Sequence, residues 1–278
     1  HLGKGERGLL AGNRPLLQLT SENFYRSPPG AGRPLEKRIP TAAFYIRMLR
    51  VVVDAAKLAR KDRYDSEQWI RSSIRIVRSL ERVGAVLDLE NLQSFRDLRQ
   101  PCIFIANHMS ILETFALPCL IEPYRRATFV VKQSLIEYPL FKHVMLSRKP
   151  VVVGRTNPRK DLRTVLEEGA VRLKNDISVV IFPQTTRSVE FEPKKFNSLG
   201  VKLAGRLNVP VVPIALKTDA WSLGKHLKDF GRIHPSRTVR MRFGEPFFVT
   251  GKGRAEHARI IDFISNTLAF WKRQPDRS

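Results

Sequence analysis

The sequence predicts an α/β fold: a mixed sheet flanked by helices, preceded by an N-terminal pair of amphipathic helices. Three observations carry this. From residue 101 onward, short apolar runs alternate with helix-length stretches, as in a sheet whose central strands are buried on both faces. Before that, two segments repeat charge at gaps of three and four, the period of helices with a polar face. Hydrophobic residues make up 42% of the 278, enough to build a sizeable core.

Residues 1–38 form the first unit. Gly3, Gly5, Gly8, Gly12, Pro15, Pro28, Pro29, Gly30, Gly32 and Pro34, among scattered Arg and Lys, read as a mobile basic arm. Residues 39–84 hold the two helices. On the first, from Pro40 to about Lys61, Arg47, Arg50, Asp54, Lys57 and Lys61 draw one narrow polar stripe. On the second, from about Ser66 to Val83, Arg71, Arg75, Arg78 and Arg82 form a basic stripe opposite Trp69, Ile70, Ile74 and Val77. Such helices can lie in a bilayer interface, where each basic residue near an anionic surface contributes on the order of 1 kcal/mol. Helices packed on the domain with a solvated basic face give the same pattern, and the sequence leaves both open.

Residues 85–278 form the α/β domain. Strands are expected at Pro101–Ala106, Thr128–Val131, Val151–Val153, Ser178–Phe182 and Val209–Leu216, with helices near 110–120, 134–147, 157–174 and 195–207. Thr238–Phe243 alternates as a partly exposed edge strand does. A last helix spans about Ala255–Trp271, with Ile260, Ile261, Ile264, Leu268 and Trp271 on its apolar side.

Charge narrows the partners. Forty-nine Lys and Arg face 26 Asp and Glu, a net charge of +23. Such a surface implies a polyanion, with phosphate the usual carrier, and both nucleic acid and anionic lipid qualify. Cys102 and Cys119 sit in apolar surroundings without metal-ligand spacing, so a reduced, cytosol-facing pair and no metal are expected. There is no signal peptide and no apolar run near the roughly 20 residues of a spanning helix. A span upstream of His1 stays open.

Two segments carry the chemistry. In Ile103–Glu113 a buried strand delivers His108 to its C-terminal end, where ligands bind in open α/β sheets. Glu113 is five residues on, roughly 140° round a regular helix. The two side chains can meet only if His108 sits in the turn before the helix and Glu113 reaches back. A carboxylate there would fix the imidazole tautomer and stabilise the imidazolium. The second segment, Val180–Ser188, again ends a strand in a polar loop, with Arg187 offering a phosphate-shaped donor fork and Thr186 and Ser188 further donors.

Asn107-His108-x4-Glu113 and Phe182-Pro183-Gln184-Thr185-Thr186-Arg187-Ser188 resemble the first and third motifs of the glycerolipid acyltransferase superfamily, which includes the 1-acylglycerol-3-phosphate acyltransferases. Lys132–Pro139, running on to Val151–Arg155, resembles the second motif, and Val209–Leu216 the fourth. All four stand in order across about residues 100–220. The resemblance implies that His108 deprotonates an acceptor hydroxyl, which attacks an acyl thioester, while Glu113 orients the imidazole. By position it assigns Lys132, Arg155 and Arg187 to the acceptor's phosphate, with Gln184, Thr186 and Ser188 beside them. It implies no cofactor beyond acyl-coenzyme A or acyl-carrier protein as co-substrate. The expected partners are a lysophospholipid acceptor and an anionic membrane surface, at the cytoplasmic face (the inner membrane in a bacterium), with no nucleic acid. Three positions depart from the family pattern: Glu113 replaces the usual Asp, Gln184 the usual Glu, and Thr185 the usual Gly. The rival readings are a basic nucleic-acid-binding protein and a non-catalytic lipid-binding relative. Four ordered motifs argue against the first, and the retained His–acid pair against the second.

Overall fold

The structure, a computed structural model, describes residues 22–138, 141–154, 156–184, 186–224 and 228–276. The strands are β1 (Phe24–Arg26), β2 (Leu87–Glu90), β3 (Ile103–Ala106), β4 (Ala127–Lys132), β5 (Val151–Val153), β6 (Ser178–Ile181), β7 (Val211–Lys217) and β8 (Val239–Phe243). Helices α1 (Pro34–Arg38), α2 (Pro40–Ala59) and α3 (Ser66–Arg82) precede the domain. Within it follow α4 (Leu112–Ile121), α5 (Gln133–Glu137), α6 (Lys142–Ser147), α7 (Pro158–Lys174), α8 (Leu199–Leu207) and α9 (Arg254–Lys272).

The strands form one mixed sheet in the order β1-β2-β8-β7-β3-β6-β4-β5. From β7 to β5 every pairing is parallel, so β3, β4, β5, β6 and β7 all end on one edge of the sheet. Side chains alternate across it. Ile103 and Ile105 face a layer with Val179, Ile181 and Val211, covered by α7, α8 and α9. Phe104 and Ala106 face the opposite layer with Val180, Val212 and Ile214, covered by α2, α3 and α4. Each fully buried Leu, Ile or Phe contributes about 1.5–3 kcal/mol. The two layers therefore fix the register of β3, which carries the site.

Thr238–Phe243 is not an edge. β8 lies inside the sheet, with β7 on one side and β2 on the other. Its alternation comes from arginines that have internal partners rather than solvent. Arg240 is 1% exposed and donates to Gln274 Oε1 at 2.8 Å and Pro275 O at 3.0 Å, while Arg242 donates to Glu90 at 2.5 Å.

The expected 1–38 arm divides. Residues 1–21 lie outside the described residues. From residue 22 the chain is folded on: β1 pairs with β2, and its anchor is a buried carboxylate on α3. Glu81 accepts from Tyr25 OH at 2.5 Å and Ser27 Oγ at 2.7 Å, and Arg78 donates to its other oxygen at 2.8 Å. Burial beside this carboxylate pushes the Tyr25 hydroxyl pKa well up.

The helix pair packs on the domain. Trp69, Ile70, Ile74 and Val77, the apolar face of α3, are all buried. Three of its four stripe arginines have carboxylate partners: Arg71 with Glu67, Arg75 with Asp54 of α2, and Arg78 with Glu81. The exposed large apolar residues of the pair are on α2. Ile39, just before it, then Ala42, Ile46 and Leu49 recur at gaps of three and four, all on the solvent side. Among the described residues no helix is long and apolar enough to cross a membrane.

Glu81→Ala leaves Tyr25, Ser27 and Arg78 without their common acceptor. We expect a loss of about 2–3 kcal/mol in denaturant unfolding and faster proteolysis between residues 22 and 34. An unchanged midpoint would show that β1 is held by something else.

Candidate active site

His108 lies two residues past the end of β3 and keeps the side of Phe104 and Ala106. It meets Phe182, which keeps the side of Val180 just past the end of β6. The two rings stack with centroids 4.2 Å apart and planes 14° from parallel, and Phe182 stacks in turn on Phe129 of β4. The imidazole thus stands on an aromatic floor at the C-terminal edge of the sheet, with its side chain 13% exposed.

Its partner is Glu113, in the first turn of α4 and 0% exposed. One carboxylate oxygen is hydrogen-bonded to His108 Nδ1. The other accepts from the backbone N–H of Met109 at 2.8 Å, that of Ser110 at 2.9 Å, and the Thr218 hydroxyl. A carboxylate taken out of water is costly unless its lone pairs are met. Here four donors surround it at a helix N-terminus, where the partial positive charge also favours an anion. With Glu113 ionised, Nδ1 carries the proton. The lone pair is then on Nε2, and the ring is a ready proton acceptor.

Three further bonds hold the backbone under the imidazole. Asn107 bridges to β7: its Nδ2 donates to Leu216 O at 2.8 Å, and its Oδ1 accepts from Leu216 N at 2.8 Å. The N–H of His108 donates to Gln184 Oε1 at 2.8 Å, and its carbonyl accepts from Ser188 N at 3.0 Å. Both backbone groups of His108 are therefore tied to the loop after β6. Gln184, expected at the acceptor, is 5% exposed, and its carbonyl oxygen is committed to that strap. Ser188 accepts from Glu190 N and also shapes the turn.

The cations are distributed along the same edge. Arg187, with Gln184, Thr186, Ser188, Glu192 and Lys195, lines a cavity of about 130 Å³ beside His108. Its guanidinium forms an ion pair with Asp229, and Lys195 pairs with Glu192 at 2.8 Å. Lys132 ends β4, which is two strands from β3, roughly 10 Å at the usual strand spacing; it is exposed and does not line the cavity. Arg155 and Thr185 lie outside the described residues. A larger cavity of about 300 Å³, around Glu122 and Arg148, opens at the first residue of β4 and so at the opposite edge of the sheet. Trp221 is 0% exposed, packed parallel to Phe115 and edge-on to Phe44. It is core packing.

Two contributors escaped the sequence reading. Thr218 follows the end of β7, and a parallel register places it at the edge where β3 ends, so that signal was present. Asp229 sits in a loop far along the chain from Arg187, with no pattern pointing to it. Among the described residues, no three His, Cys, Asp or Glu side chains are grouped to hold a metal ion.

Residues 85–217 match the protein-family model described as Acyltransferase. The chain is 28% identical over 212 residues to a 1-acyl-sn-glycerol-3-phosphate acyltransferase of Pseudomonas aeruginosa, covering 74% of this chain and 77% of that protein. It is 28% identical over 137 residues to a protein of the same description from Cocos nucifera, covering 48% of this chain and 42% of the relative. The chain thus spans under half of the plant relative's length. Among solved structures, it resembles the 1-acyl-sn-glycerophosphate (LPA) acyltransferase PlsC of Thermotoga maritima. That match has a TM-score of 0.66 at 17% identity, over 87% of this chain and 99% of the other, and it bears on the fold alone.

Asn107→Leu keeps the side-chain size but removes both partners of Leu216, leaving a buried N–H and a buried C=O unmet. The expected loss is about 2–4 kcal/mol in denaturant unfolding. A variant as stable as the parent would mean that the Asn107 bridge does not hold β3 to β7.

Proposed function

We propose that the chain is an O-acyltransferase of the glycerolipid acyltransferase family, on the match of residues 85–217 and the likeness to the Pseudomonas aeruginosa protein, and that it performs a specific reaction. It transfers a fatty-acyl group from acyl-coenzyme A or acyl-carrier protein to the free hydroxyl of a lysophospholipid such as 1-acylglycerol-3-phosphate. The observation that carries this reading is the His108–Glu113 pair, with Nδ1 held by a fully buried carboxylate beside the Arg187 cavity.

In the reaction, Nε2 of His108 takes the hydroxyl proton as the oxygen attacks the thioester carbonyl. The C–O bond forms, the C–S bond breaks, and the departing thiolate takes the proton back from the imidazolium. Glu113 opposes the charge that forms on the ring between these steps. An alcohol is a poor nucleophile at neutral pH, and a positioned base contributes about 10²–10⁴ in rate. Arg187, with Thr186 and Ser188 alongside, receives the acceptor's phosphate. Lys132 extends the cationic edge on the side of β4. Glu113 in place of the shorter Asp suits its position: it reaches back from the first turn of α4 to the N–H groups of residues 109 and 110.

The lipid surface meets α2. The exposed stripe of Ile39, Ala42, Ile46 and Leu49 continues to Leu35 on α1, and Arg38, Arg50 and Lys57 are exposed nearby. Tyr138, just after α5, and Leu146 of α6 are also exposed, and α6 packs against α2. An apolar ridge flanked by cations is the composition of an interfacial helix, and it is preferred here to the α3 arginine stripe, three of whose four members have carboxylate partners within the protein. Free, buried Cys102 and Cys119 fit a cytoplasmic face.

Two outcomes are expected. Mass-spectrometric product analysis with a panel of lysolipids and both thioester donors gives a diacyl product, and His108→Ala lowers its formation by about 10²–10⁴; full activity in that variant contradicts the mechanism. In flotation with anionic vesicles, Ile46→Asp with Leu49→Asp loses most of the bound fraction. Unchanged flotation would remove α2 from the interface.

A further inference from the structure

Asp229 belongs to a built element. The segments 221–224 and 228–233 run antiparallel, with Ser222 N bonded to Arg232 O at 3.0 Å and Gly224 N to Lys228 O at 3.2 Å. Gly231 permits the close approach: a Cβ there would lie 2.0 Å from Ser222 O. The hairpin is fastened to α2. Tyr45 OH donates to Gly231 O at 2.7 Å, Ile233 N donates to Thr41 Oγ1 at 3.1 Å, and Trp221 Nε1 donates to Tyr45 OH at 3.0 Å. Phe230 adds a ring contact with Tyr45. Asp229 is thus held between fixed neighbours, and its carboxylate meets Nη2 of Arg187.

Arg187 lines the cavity beside His108 and Asp229 does not. The carboxylate therefore holds the guanidinium from outside the cavity. A guanidinium has five donors, and its ion pair among the described residues, through Nη2, leaves others for an anion. An ion pair between side chains 20% and 32% exposed adds little to stability. Its larger consequence is to fix a long, flexible side chain before the ligand arrives, which lowers the ordering cost of binding.

We propose that Asp229 is a positioning residue that sets the preference for acceptors bearing a phosphate. Resting on the reading of Arg187 as the phosphate donor, this names the group that aims it. Asp229 does not touch the reacting atoms; it acts through Arg187. A carboxylate so near an anion site also repels the anion. The opposite prediction, that removing Asp229 improves binding, is therefore the outcome that opposes the proposal.

The test is steady-state kinetics of Asp229→Asn and Asp229→Ala with 1-acylglycerol-3-phosphate and, as the phosphate-free control, 1-monoacylglycerol. Asp229→Asn keeps the size and carries the test if the Ala variant folds poorly. KM for the phosphate-bearing acceptor should rise about five- to tenfold, the scale of immobilising one such side chain, with kcat unchanged. Rates on the control should keep their wild-type value, and Asp229→Asn should add nothing in an Arg187→Ala background. A lower or unchanged KM overturns the proposal, and so does an equal fall in kcat on both acceptors. If Arg187→Ala raises KM while Asp229→Asn does not, the proposal alone falls. If Arg187→Ala leaves KM unchanged, the phosphate site itself has been misplaced.

Discussion

The site depends on one constraint: a carboxylate with no access to water must find all of its hydrogen-bond partners inside the protein. Glu113 does so with His108, two backbone N–H groups and Thr218. Each partner comes from a place the fold had to create. The N–H groups exist unpaired because α4 is beginning. Thr218 is there because β7 runs parallel to β3, and His108 is there because the strand has ended with the right parity. Hydrogen bonds to a charged group contribute about 1.5–3 kcal/mol each, and the same contacts hold Glu113 against Nδ1 of the imidazole. Stability and chemistry share these contacts.

The loop after β6 is joined to this arrangement through backbone as well as side chains. Gln184 and Ser188 bind the N–H and C=O of His108, and Phe182 supplies the floor beneath its ring. The imidazole and the Arg187 cavity are therefore joined through one loop. A neutral amide at 184 also avoids a second carboxylate beside Glu113. At this position the departure from the family pattern has a structural use that does not involve the acceptor.

Much of this was legible in sequence. The apolar runs gave the five parallel strands nearly residue for residue, because strands buried on both faces leave continuous hydrophobic stretches. The His108–Glu113 contact was implied by the family resemblance, and helix geometry allowed it only across the helix start, which is where it lies. The failures have physical causes too. β1 is three residues long, too short for alternation to register, and its anchor is a Glu81 that looked like one more charge on a basic helix. β8 read as an edge because Arg240 and Arg242 looked solvated, and only the fold supplies their partners. The basic stripe of α3 is real as a pattern, but Asp54, Glu67 and Glu81 pair with three of its four arginines. Asp229 could not have been found, because nothing in a loop's composition says what lies across from it.

The account stands on the tautomer that Glu113 imposes on His108. Nitrogen-15 spectra of histidine-labelled protein, assigned by difference from His108→Ala and recorded where the imidazole is neutral, report this directly. The structure predicts a protonated, pyrrole-type Nδ1 and a bare Nε2 for His108, with that preference lost in Glu113→Gln. A bare Nδ1 and protonated Nε2 in the parent protein would contradict it, and His108 could not then be the base.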